Sequence, residues 1–222
     1  MADRFTNRTD AGQRLATALV RYSGRDDVTV LGLPRGGVPV AFEIASALDA
    51  PLDVFLVRKL GLPGHEEFGI GAIASGGIRV VDESVLSAYG VTPETLDRIT
   101  EREQRELERR EKLYRDDRPP PAIRDRVVIL VDDGLATGST MRAAIAALRV
   151  EGPREIVVAV PVGATETCAA MSALADEVIC LATPDPFNAV GLWYDNFDQT
   201  GDLEVHELLE RAASRATRAR ID

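Results

Sequence analysis

The chain contains few of the residues that hold small proteins together through disulfides or metal ions. Among its 222 residues there are two cysteines, Cys168 and Cys180, and two histidines, His65 and His206. The cysteines form no CxxC pair and the histidines lie far apart, so a structural zinc site has almost no ligands available. A chain of this length buries roughly 70% of its unfolded surface. We therefore expect a fold that needs neither a disulfide nor a metal, with both thiols reduced.

Long apolar segments and an excess of positive charge are also missing. No stretch of about 18 apolar residues runs without a charge, which excludes a membrane-spanning helix. The polar N-terminal residues lack the apolar core of a secretory signal, and we expect the protein to be cytoplasmic. The net charge of −10 argues against nucleic acid as a partner, because non-specific binding to its phosphates needs a basic surface.

The hydrophobic pattern predicts strands and helices in alternation. Residues 127–131 are five consecutive aliphatic residues, which is typical of a central parallel strand buried on both faces. Strands separated by helix-length crossovers indicate an α/β fold with a doubly wound, mostly parallel sheet. The predicted strands are 29–33, 52–57, 70–74, 78–81, 127–131, 155–160 and 178–182, and the predicted helices are 38–48, 93–114, 139–150, 166–174 and 202–215. Residues 58–67 are rich in glycine, proline and charge, and we expect a loop there.

Two segments are expected to stand apart from this sheet within a single domain that spans residues 1–222. Residues 92–115 predict an inserted polar helix, which begins with a capping threonine and a proline and carries Glu/Arg pairs four residues apart. The favoured interpretation is a solvated connecting helix, and the alternative is a docking surface for a partner. Residues 184–222, irregular and aromatic before the last helix, are expected to form a small C-terminal hood.

Two aspartates directly follow the predicted central strand. Asp132 and Asp133 lie where open α/β sheets bind their ligands, beyond the carboxyl ends of the strands. Adjacent carboxylates repel one another, and burying both costs free energy unless something compensates. Ribose hydroxyls, which donate hydrogen bonds, and a nearby Mg²⁺ would both offset that repulsion. The alternative is a strand end with two acids near the surface.

A run of small and hydroxyl-bearing residues then opens the next predicted helix. Thr137, Ser139 and Thr140 supply hydroxyl donors, and Gly138 permits a close approach of the backbone. The free N–H groups at a helix start favour an anion by about 0.3–2 kcal/mol. A phosphate bound here would place its attached sugar near the two aspartates, so the spacing fits a ribose 5-phosphate. An ordinary hydroxyl-capped helix is the alternative.

Residues 127–141, which include VDDGLATGSTM, resemble the signature that binds 5-phosphoribosyl-1-pyrophosphate (PRPP) in type I phosphoribosyltransferases. The form is especially similar to that of adenine phosphoribosyltransferases. The resemblance implies the type I phosphoribosyltransferase fold, a homodimer and Mg²⁺ as cofactor. It implies that Asp132 and Asp133 hold the ribose hydroxyls and contact the metal indirectly, through PRPP and water. The 5′-phosphate would lie in the loop formed by Ala136, Thr137, Gly138, Ser139 and Thr140.

The segment Leu33-Pro34-Arg35-Gly36-Gly37 resembles the pyrophosphate loop of the same family. Arg35 would supply a forked donor to phosphate oxygens, and Gly36 and Gly37 would admit a strained backbone. Family members often have a non-proline cis peptide bond in this loop, and we expect one beside Arg35. A common turn is the alternative for this short motif.

Residues 57–67 resemble the start of the family's flexible catalytic loop. Arg58 and Lys59 would bind pyrophosphate, and closure of the loop would exclude water from the reacting carbon. Lys59 is notable because only two of the 26 basic residues are lysines. Simple surface mobility is the alternative for this charged, glycine-bearing segment.

The residues that would handle the acceptor point in two directions. Enzymes for hypoxanthine and guanine carry an aspartate immediately before TG, where this chain has Ala136. Adenine enzymes also have alanine there and use a loop glutamate, a catalytic role that Glu66 or Glu67 would take. Phe187 and Trp193 lie in a segment similar to the hood of 6-oxopurine enzymes and are candidates for stacking on a flat base. Packing inside a small lid is the alternative for both aromatics.

Taken as a whole, the resemblance implies a Mg²⁺-dependent enzyme of nucleotide salvage. It would transfer the phosphoribosyl group of PRPP to a nucleobase-like small molecule, with a purine as one option, and release pyrophosphate. Such a transfer needs no covalent nucleophile, which agrees with the lack of a Ser-His or Cys-His motif. The alternative is a catalytically inactive regulatory protein that senses PRPP and contacts a partner through the polar helix.

Overall fold

The computed structural model describes residues 4–116 and 118–218, except for the side chains of Glu67 and of residues 216–218. The strands in this part of the chain are β1 (Val28–Gly32), β2 (Leu52–Val54), β3 (Val57–Leu62), β4 (His65–Ala74), β5 (Ile78–Val81), β6 (Val127–Val131), β7 (Glu155–Val162) and β8 (Glu177–Ala182). The helices are α1 (Arg8–Ala18), α2 (Gly37–Leu48), α3 (Glu83–Ala88), α4 (Pro93–Arg115), α5 (Ser139–Glu151), α6 (Thr165–Met171) and α7 (Asp202–Arg218).

A five-stranded parallel sheet forms the centre of the molecule. Its strand order is β2-β1-β6-β7-β8, and β1 pairs with β6 from Val28 opposite Val127 to Gly32 opposite Val131. Every residue of β1 and of β6 is buried, as expected for strands covered on both faces. The predicted doubly wound α/β fold is confirmed, because helices cover both sides of this sheet.

Alternate residues of the strands divide the core of this sheet into two layers. On one face Leu15 of α1 and Ile44 of α2 pack with Ile129. On the other face Ile145 of α5 packs with Leu130 in a cluster that also includes residues of α6. The consecutive residues 129 and 130 thus serve opposite layers, as the period of two in a strand requires.

In a second sheet, β4 pairs with both β3 and β5 in antiparallel fashion. The prediction of a loop at residues 58–67 is therefore wrong. These residues form most of the β3–β4 hairpin, which turns at Gly64 with a φ of 78°. Its polar composition is typical of a loop, but a hairpin makes its hydrogen bonds from the backbone. The hairpin buries the side chains of Leu60 and Leu62 on its inner face.

Helix α4 packs on this second sheet and against α7. Leu107 and Tyr114 are fully buried in a cluster that includes Val205 of α7. Arg115 is also buried, and its Nε donates a hydrogen bond to Oδ1 of Asp53 at 3.0 Å. A helix is therefore present where the polar helix was predicted, but one face of it is buried in the core, so the interpretation as a simply solvated connection is wrong.

The sequence did not predict α1 or α3. Asn7 caps α1 by accepting a hydrogen bond from the amide of Asp10, and Asp82 caps α3 in the same way. The inner face of α1 is built largely from small residues, which give a weak hydrophobic pattern. A Cβ added at Gly12 would lie 2.7 Å from the Cβ of Glu43, so α1 lies close against α2.

The segment between β8 and α7 has irregular backbone and folds back over one end of the sheet. Tyr194 is 1% exposed, forms a bridge with Phe5 and packs in a cluster with Val162. This is the segment that was expected to begin the hood, whose last residues, 219–222, lie outside the described part. In the described ranges no helix combines the length and the apolar character needed to cross a membrane.

Candidate functional site

The order of the parallel strands creates a crevice at one edge of the sheet. From β1 the chain proceeds outward to β2, whereas β6, on the other side of β1, leads to β7 and β8. The loops that leave β1 and β6 therefore diverge, and α/β sheets bind ligands in the crevice that such a switch point opens. Both predicted loops, residues 33–37 and 132–140, lie at this point.

The loop after β1 lies directly against the two aspartates. A Cβ added at Gly37 would be 2.6 Å from the carbonyl oxygen of Val131 and 2.9 Å from the Cα of Asp132. A Cβ added at Gly36 would be 1.9 Å from Oδ2 of Asp133. No side chain fits at either position, so the two glycines allow the loop to approach the acids. The expected cis peptide bond is present between Pro34 and Arg35.

Asp132 and Asp133 lie side by side, with the amide of Asp133 donating a hydrogen bond to Oδ1 of Asp132 at 2.9 Å. Burial, together with the neighbouring Asp133 carboxylate, raises the pKa of Asp132 well above its ordinary value. Burial also raises the pKa of Asp133, although the Arg8 guanidinium opposes this shift. The crevice therefore holds two acids whose charges are poorly tolerated without a ligand or a cation.

The loop after β6 surrounds a cavity of about 170 Å³. Gly138 adopts a φ of 69°, which turns the chain into α5 at Ser139. Thr167 of α6 supports the loop from behind, since its hydroxyl donates a hydrogen bond to the carbonyl of Ala136 at 2.7 Å. The residues that line the cavity include Asp132, Ala136, Thr137, Gly138, Ser139 and Thr140. An acid, three hydroxyl side chains and a helix start thus face one cavity.

The predicted pyrophosphate residues diverge in their contacts. Arg35 reaches toward the start of α7, where its Nη1 lies 3.9 Å from Oδ1 of Asp202. Arg58 is held by α4, because its Nε donates to Oε2 of Glu103 at 2.9 Å. Lys59 is exposed on β3. The loop glycines Gly36 and Gly37 lie directly against the acids.

Arg58 nevertheless borders the crevice. With Pro34, Thr140 and Arg110 of α4 it lines a small cavity of about 30 Å³ between the loop after β1 and the start of α5. Helix α4 therefore contributes both an acid that holds Arg58 and a second arginine to this side of the site. Sequence reasoning did not identify Glu103 or Arg110, because both lie within a long run of alternating acids and bases.

Of the two predicted catalytic glutamates, Glu66 is bound within its own hairpin in this structure. Glu66 lies at the tip of the β3–β4 hairpin, where its Oε1 accepts a hydrogen bond from the amide of Gly64 at 3.2 Å. Backbone hydrogen bonds lower the pKa of Glu66, so this carboxyl is ionised near neutral pH and is not poised as a general acid. The side chain of Glu67 lies outside the described residues.

The predicted stacking residues belong to the hood. Phe187 and Trp193 are half-buried and pack against the cluster of Phe5, Ala11, Val162 and Tyr194. The residue of this segment that lines the cavity of the loop after β6 is instead Val190. A Cβ added at Gly134 would lie 2.5 Å from Cγ1 of Val190, so the hood closes tightly over the loop.

Two further residues of the site, in contact with Asp133, were missed by sequence reasoning. Tyr194 donates a hydrogen bond from its hydroxyl to the carbonyl of Asp133 at 2.7 Å. Arg8, from α1, forms an ion pair with the carboxylate of Asp133. Arg8 belongs to no motif, and Tyr194 lies in the hood segment, of which only Phe187 and Trp193 were predicted as site residues. Both are more than 50 residues away from Asp133 in the chain, so only the fold reveals their contacts.

A group of three potential metal ligands lies at the contact between α4 and α7. Ligand atoms of Asp116, His206 and Glu210 lie within 4.8 Å of one another, and Nε2 of His206 is 3.3 Å from Oδ2 of Asp116. Asp116 and Glu210 are exposed. Asp132 and Asp133, beside the loop after β6, are also oxygen ligands of the kind that a hard cation such as Mg²⁺ binds.

Comparison with known proteins places the chain among phosphoribosyl transferases. A family described as "Phosphoribosyl transferase domain" matches residues 3–195. A curated protein of Mycobacterium tuberculosis, named "Putative phosphoribosyl transferase", is 46% identical over 208 residues. That match covers 94% of this chain and 47% of the relative, so the chain spans about half the length of the curated protein.

A solved structure is similar along nearly its whole length. The crystal structure of TT1426 from Thermus thermophilus is 44% identical and superposes with a TM-score of 0.85. The superposition covers 94% of this chain and 98% of that one. The AQ2163 protein of Aquifex aeolicus, at 10% identity and a TM-score of 0.51, shares the fold over 83% of this chain.

Proposed function

Since the chain belongs to the phosphoribosyl transferase family, we propose that it transfers the 5-phosphoribosyl group of PRPP to a nucleobase-like acceptor and releases pyrophosphate. One observation carries the proposal. Asp132 at the end of β6 and the hydroxyl-rich start of α5 face the same cavity of about 170 Å³. The loop glycines after β1 lie against the other side of the acids.

The proposed binding mode assigns one chemical group to each part of the crevice. The 5′-phosphate binds to the free amides and hydroxyls of Thr137, Ser139 and Thr140, where a helix start favours an anion. A ribose hydroxyl donates a hydrogen bond to the carboxylate of Asp132. Pyrophosphate lies over the loop after β1, with Arg35 and Arg58 as its cations. Lys59 joins them if the hairpin moves toward the crevice.

Mg²⁺ fits the chemistry of this site. Burial raises the pKa values of Asp132 and Asp133, and for Asp132 the neighbouring carboxylate adds to the shift; a cation held near them through PRPP oxygens and water would favour both charged forms. When bound, the ion neutralises charge on the departing pyrophosphate. The protein itself contributes position, which can supply about 7–11 kcal/mol, and electrostatic donors worth about 3–4 kcal/mol each.

The acceptor is proposed as a flat nitrogen base, with a purine as one option, bound beneath the hood. Its attacking nitrogen forms a bond to the anomeric carbon as the bond to pyrophosphate breaks, and the nitrogen then loses its proton. Glu66 or Glu67 takes that proton only if the hairpin tip folds over the crevice. We further propose that the protein works in nucleotide salvage in the cytoplasm, as a homodimer.

A PRPP-sensing regulator without turnover is the second candidate. It is favoured by the position of Glu66 at the hairpin tip, where the carboxylate of this proposed catalytic residue is bound by the amide of Gly64. In this case PRPP binds, and α4 transmits its presence to a partner.

Pyrophosphate release tests the two candidates. We would incubate the protein with PRPP and Mg²⁺ across a panel of purine and pyrimidine bases and measure pyrophosphate. Release that depends on a base supports transfer, whereas tight PRPP binding without release supports sensing. The variant with both Asp132→Asn and Asp133→Asn should lose PRPP binding and keep its circular dichroism spectrum. Unchanged PRPP affinity in that variant would contradict both candidates.

A further inference from the structure

Arg110 lies on the face of α4 that packs against the crevice. Glu103, Leu107, Arg110 and Tyr114 follow one another at intervals of three or four residues, so their side chains share one face of the helix. Leu107 and Tyr114 are fully buried, and Glu103 is nearly so. The side chain of Arg110 is 34% exposed, whereas that of the adjacent Arg109 is 58% exposed. Of these two arginines, Arg110 is therefore the one that belongs to the inner face.

Arg110 borders the site where the loop after β1 approaches the start of α5. Together with Pro34 and Arg58 it lines the small cavity between them. Thr140 lines this cavity and also the larger cavity of the loop after β6. A space of about 30 Å³ holds about one water molecule, so a phosphoryl group would lie across its opening and not inside it. An anion that extends from the start of α5 to the loop after β1 would therefore pass beside Arg58 and Arg110.

Three arginines lie around the loop after β1. Arg35 belongs to this loop, and Arg58 and Arg110 line the cavity next to it. Burial and a hydrogen bond to Asp202 raise the pKa of Tyr114 to about 12, and the charges of Arg110 and Arg35 oppose this rise, so both guanidiniums lie near the Tyr114 hydroxyl. Pyrophosphate carries several negative charges, and guanidinium forks bind phosphate oxygens in pairs. Arg110 therefore offers the type of group that pyrophosphate requires.

The present partner of Arg110 does not prevent it from binding a ligand. Its Nε donates a hydrogen bond to Oε1 of Glu106 at 2.8 Å. The same carboxylate accepts two hydrogen bonds from Arg109, from Nε at 2.8 Å and from Nη2 at 3.0 Å. Glu106 therefore keeps a cationic partner when Arg110 turns toward the crevice. Ion pairs on a helix surface contribute little stability, so a phosphate competes with Glu106 for Arg110 at little cost.

We propose that Arg110 binds the pyrophosphate group of PRPP together with Arg58, and that α4 thereby helps the site to distinguish PRPP from ribose 5-phosphate. The inference rests on the proposed function, because it adds a residue to the pyrophosphate side of that binding site. The 5′-phosphate, which both ligands carry, binds at the loop after β6 and does not reach Arg110.

Titration calorimetry with three ligands tests this assignment on the full-length protein. PRPP and inorganic pyrophosphate, each with Mg²⁺, carry the group that Arg110 binds, whereas ribose 5-phosphate lacks it. The variants are Arg110→Met and Arg110→Lys, and Arg109→Met is the matched control. Arg109 is adjacent in the chain and pairs with the same carboxylate, but it is not among the residues that line the cavity.

We expect Arg110→Met to weaken the binding of PRPP and of pyrophosphate about tenfold, as the loss of one charge-assisted hydrogen bond does. Its affinity for ribose 5-phosphate should stay within about twofold of the wild-type value, as for independent sites. Arg110→Lys, which keeps the charge but not the fork, should fall between Arg110→Met and the wild type. Arg109→Met should bind all three ligands as the wild type does. The melting temperature of ligand-free Arg110→Met should be close to that of the wild type, because the lost ion pair lies on the helix surface.

Three results would overturn the inference and leave the proposed function in place. The first is unchanged affinity of Arg110→Met for PRPP and pyrophosphate. The second is an equal loss for all three ligands, which would mean that Arg110 acts on the shape or the overall charge of the crevice. The third is an equal loss in Arg109→Met, which would show a general effect of positive charge on α4. A wild-type protein that binds neither PRPP nor pyrophosphate contradicts the proposed function itself, and the inference with it.

Discussion

At the scale of single residues, the acid pair that is proposed to bind the ligand also lowers the stability of the ligand-free protein. Asp132 is partly buried beside another carboxylate, and both its burial and this neighbour raise its pKa. The folded protein thus holds the Asp132 proton more tightly than the unfolded chain does. The stability that this proton confers is full below the unfolded pKa and is lost as pH rises through the raised folded pKa. At neutral pH the ligand-free site is therefore destabilised by the group that we propose as a ligand of the ribose.

Replacing Asp132 by asparagine should stabilise the ligand-free protein at neutral pH. The substitution removes a poorly tolerated charge, and we expect a gain of about 1 kcal/mol, which raises the Tm of a domain of this size by about 2–4 °C. The gain should grow as pH rises from the unfolded pKa of Asp132 to its raised folded pKa, because the unfolded chain ionises before the folded protein does. Scanning calorimetry in buffer without Mg²⁺ or PRPP measures it.

Asp82 provides the control of opposite sign. Hydrogen bonds from the Ser84 side chain and the Val85 amide lower the pKa of Asp82, so the contribution of this cap is present above the unfolded pKa and is lost on acidification. Asp82→Asn should therefore lower Tm at about pH 7.5 more than at about pH 3. A Tm for Asp132→Asn below that of the wild type near neutral pH would contradict the destabilised site.

Residue identities in the site could be predicted only where a contiguous motif carries them. Asp132 and the hydroxyls that follow were identified because the strand end, the glycine and the helix start are adjacent in the chain. Arg8 and Tyr194 come from opposite ends of the chain, and the contacts that bring them to Asp133 depend on the packing of α1 and of the hood. No local pattern encodes those contacts.

At the scale of secondary-structure elements, the polar helix α4 contributes to the site by binding Arg58. Glu103 is 7% exposed and accepts hydrogen bonds from Arg58 of β3 and from Arg102 on its own helix. The contact fixes the start of the hairpin against the helix. The run of Glu and Arg predicted a solvated helix because sequence alone does not distinguish a buried acid from the exposed ones around it.

Replacing Glu103 by alanine should loosen the hairpin from α4. Arg58 is one-third exposed and regains water, so we expect a loss of about 1–3 kcal/mol of unfolding free energy and not the larger cost of a fully buried pair. PRPP affinity should fall as well, since Arg58 lines the cavity beside Pro34. Urea denaturation and titration calorimetry measure the two effects.

Glu106, one turn further along α4, is the matched control. It pairs with Arg109 and Arg110 on the helix surface, and such exposed pairs contribute about 0.5 kcal/mol or less. Glu106→Ala should therefore unfold at nearly the wild-type urea concentration. If both alanine variants lost the same unfolding free energy, the Glu103–Arg58 contact would stabilise the fold no more than an exposed ion pair does.

Element prediction succeeded where hydrophobic period and length agreed. The five consecutive aliphatic residues of β6 predicted a buried parallel strand, and the structure confirms it. The strands and helices around β6 were predicted from their alternation along the chain. The prediction was wrong for the β3–β4 hairpin. Its two strands are held by backbone hydrogen bonds, and such pairing tolerates glycine, proline and charged residues. Helix α1 was missed because it buries residues such as Ala11 and Ala16, whose small side chains give little amphipathic signal.

At the scale of the whole molecule, the crevice is assembled from segments distant in the chain. Arg8 of α1, the loop after β1, the loop after β6 and Tyr194 of the hood all contact the acidic pair. The free energy of holding these segments together is opposed by the repulsion between the acids. A ligand that relieves this repulsion should therefore tighten segments from both ends of the chain at once.

PRPP with Mg²⁺ should accordingly raise the Tm of the whole domain. At a ligand concentration about 100 times the dissociation constant the folded state gains about 2.7 kcal/mol, which corresponds to an increase of about 5–10 °C. Asp132→Asn should show no such shift, although its ligand-free Tm is expected to be higher than that of the wild type. An equal shift in this variant would place PRPP away from the crevice. The combination of a higher starting Tm and a lost ligand response distinguishes a binding residue from a structural one, since a merely structural acid would lower both when replaced.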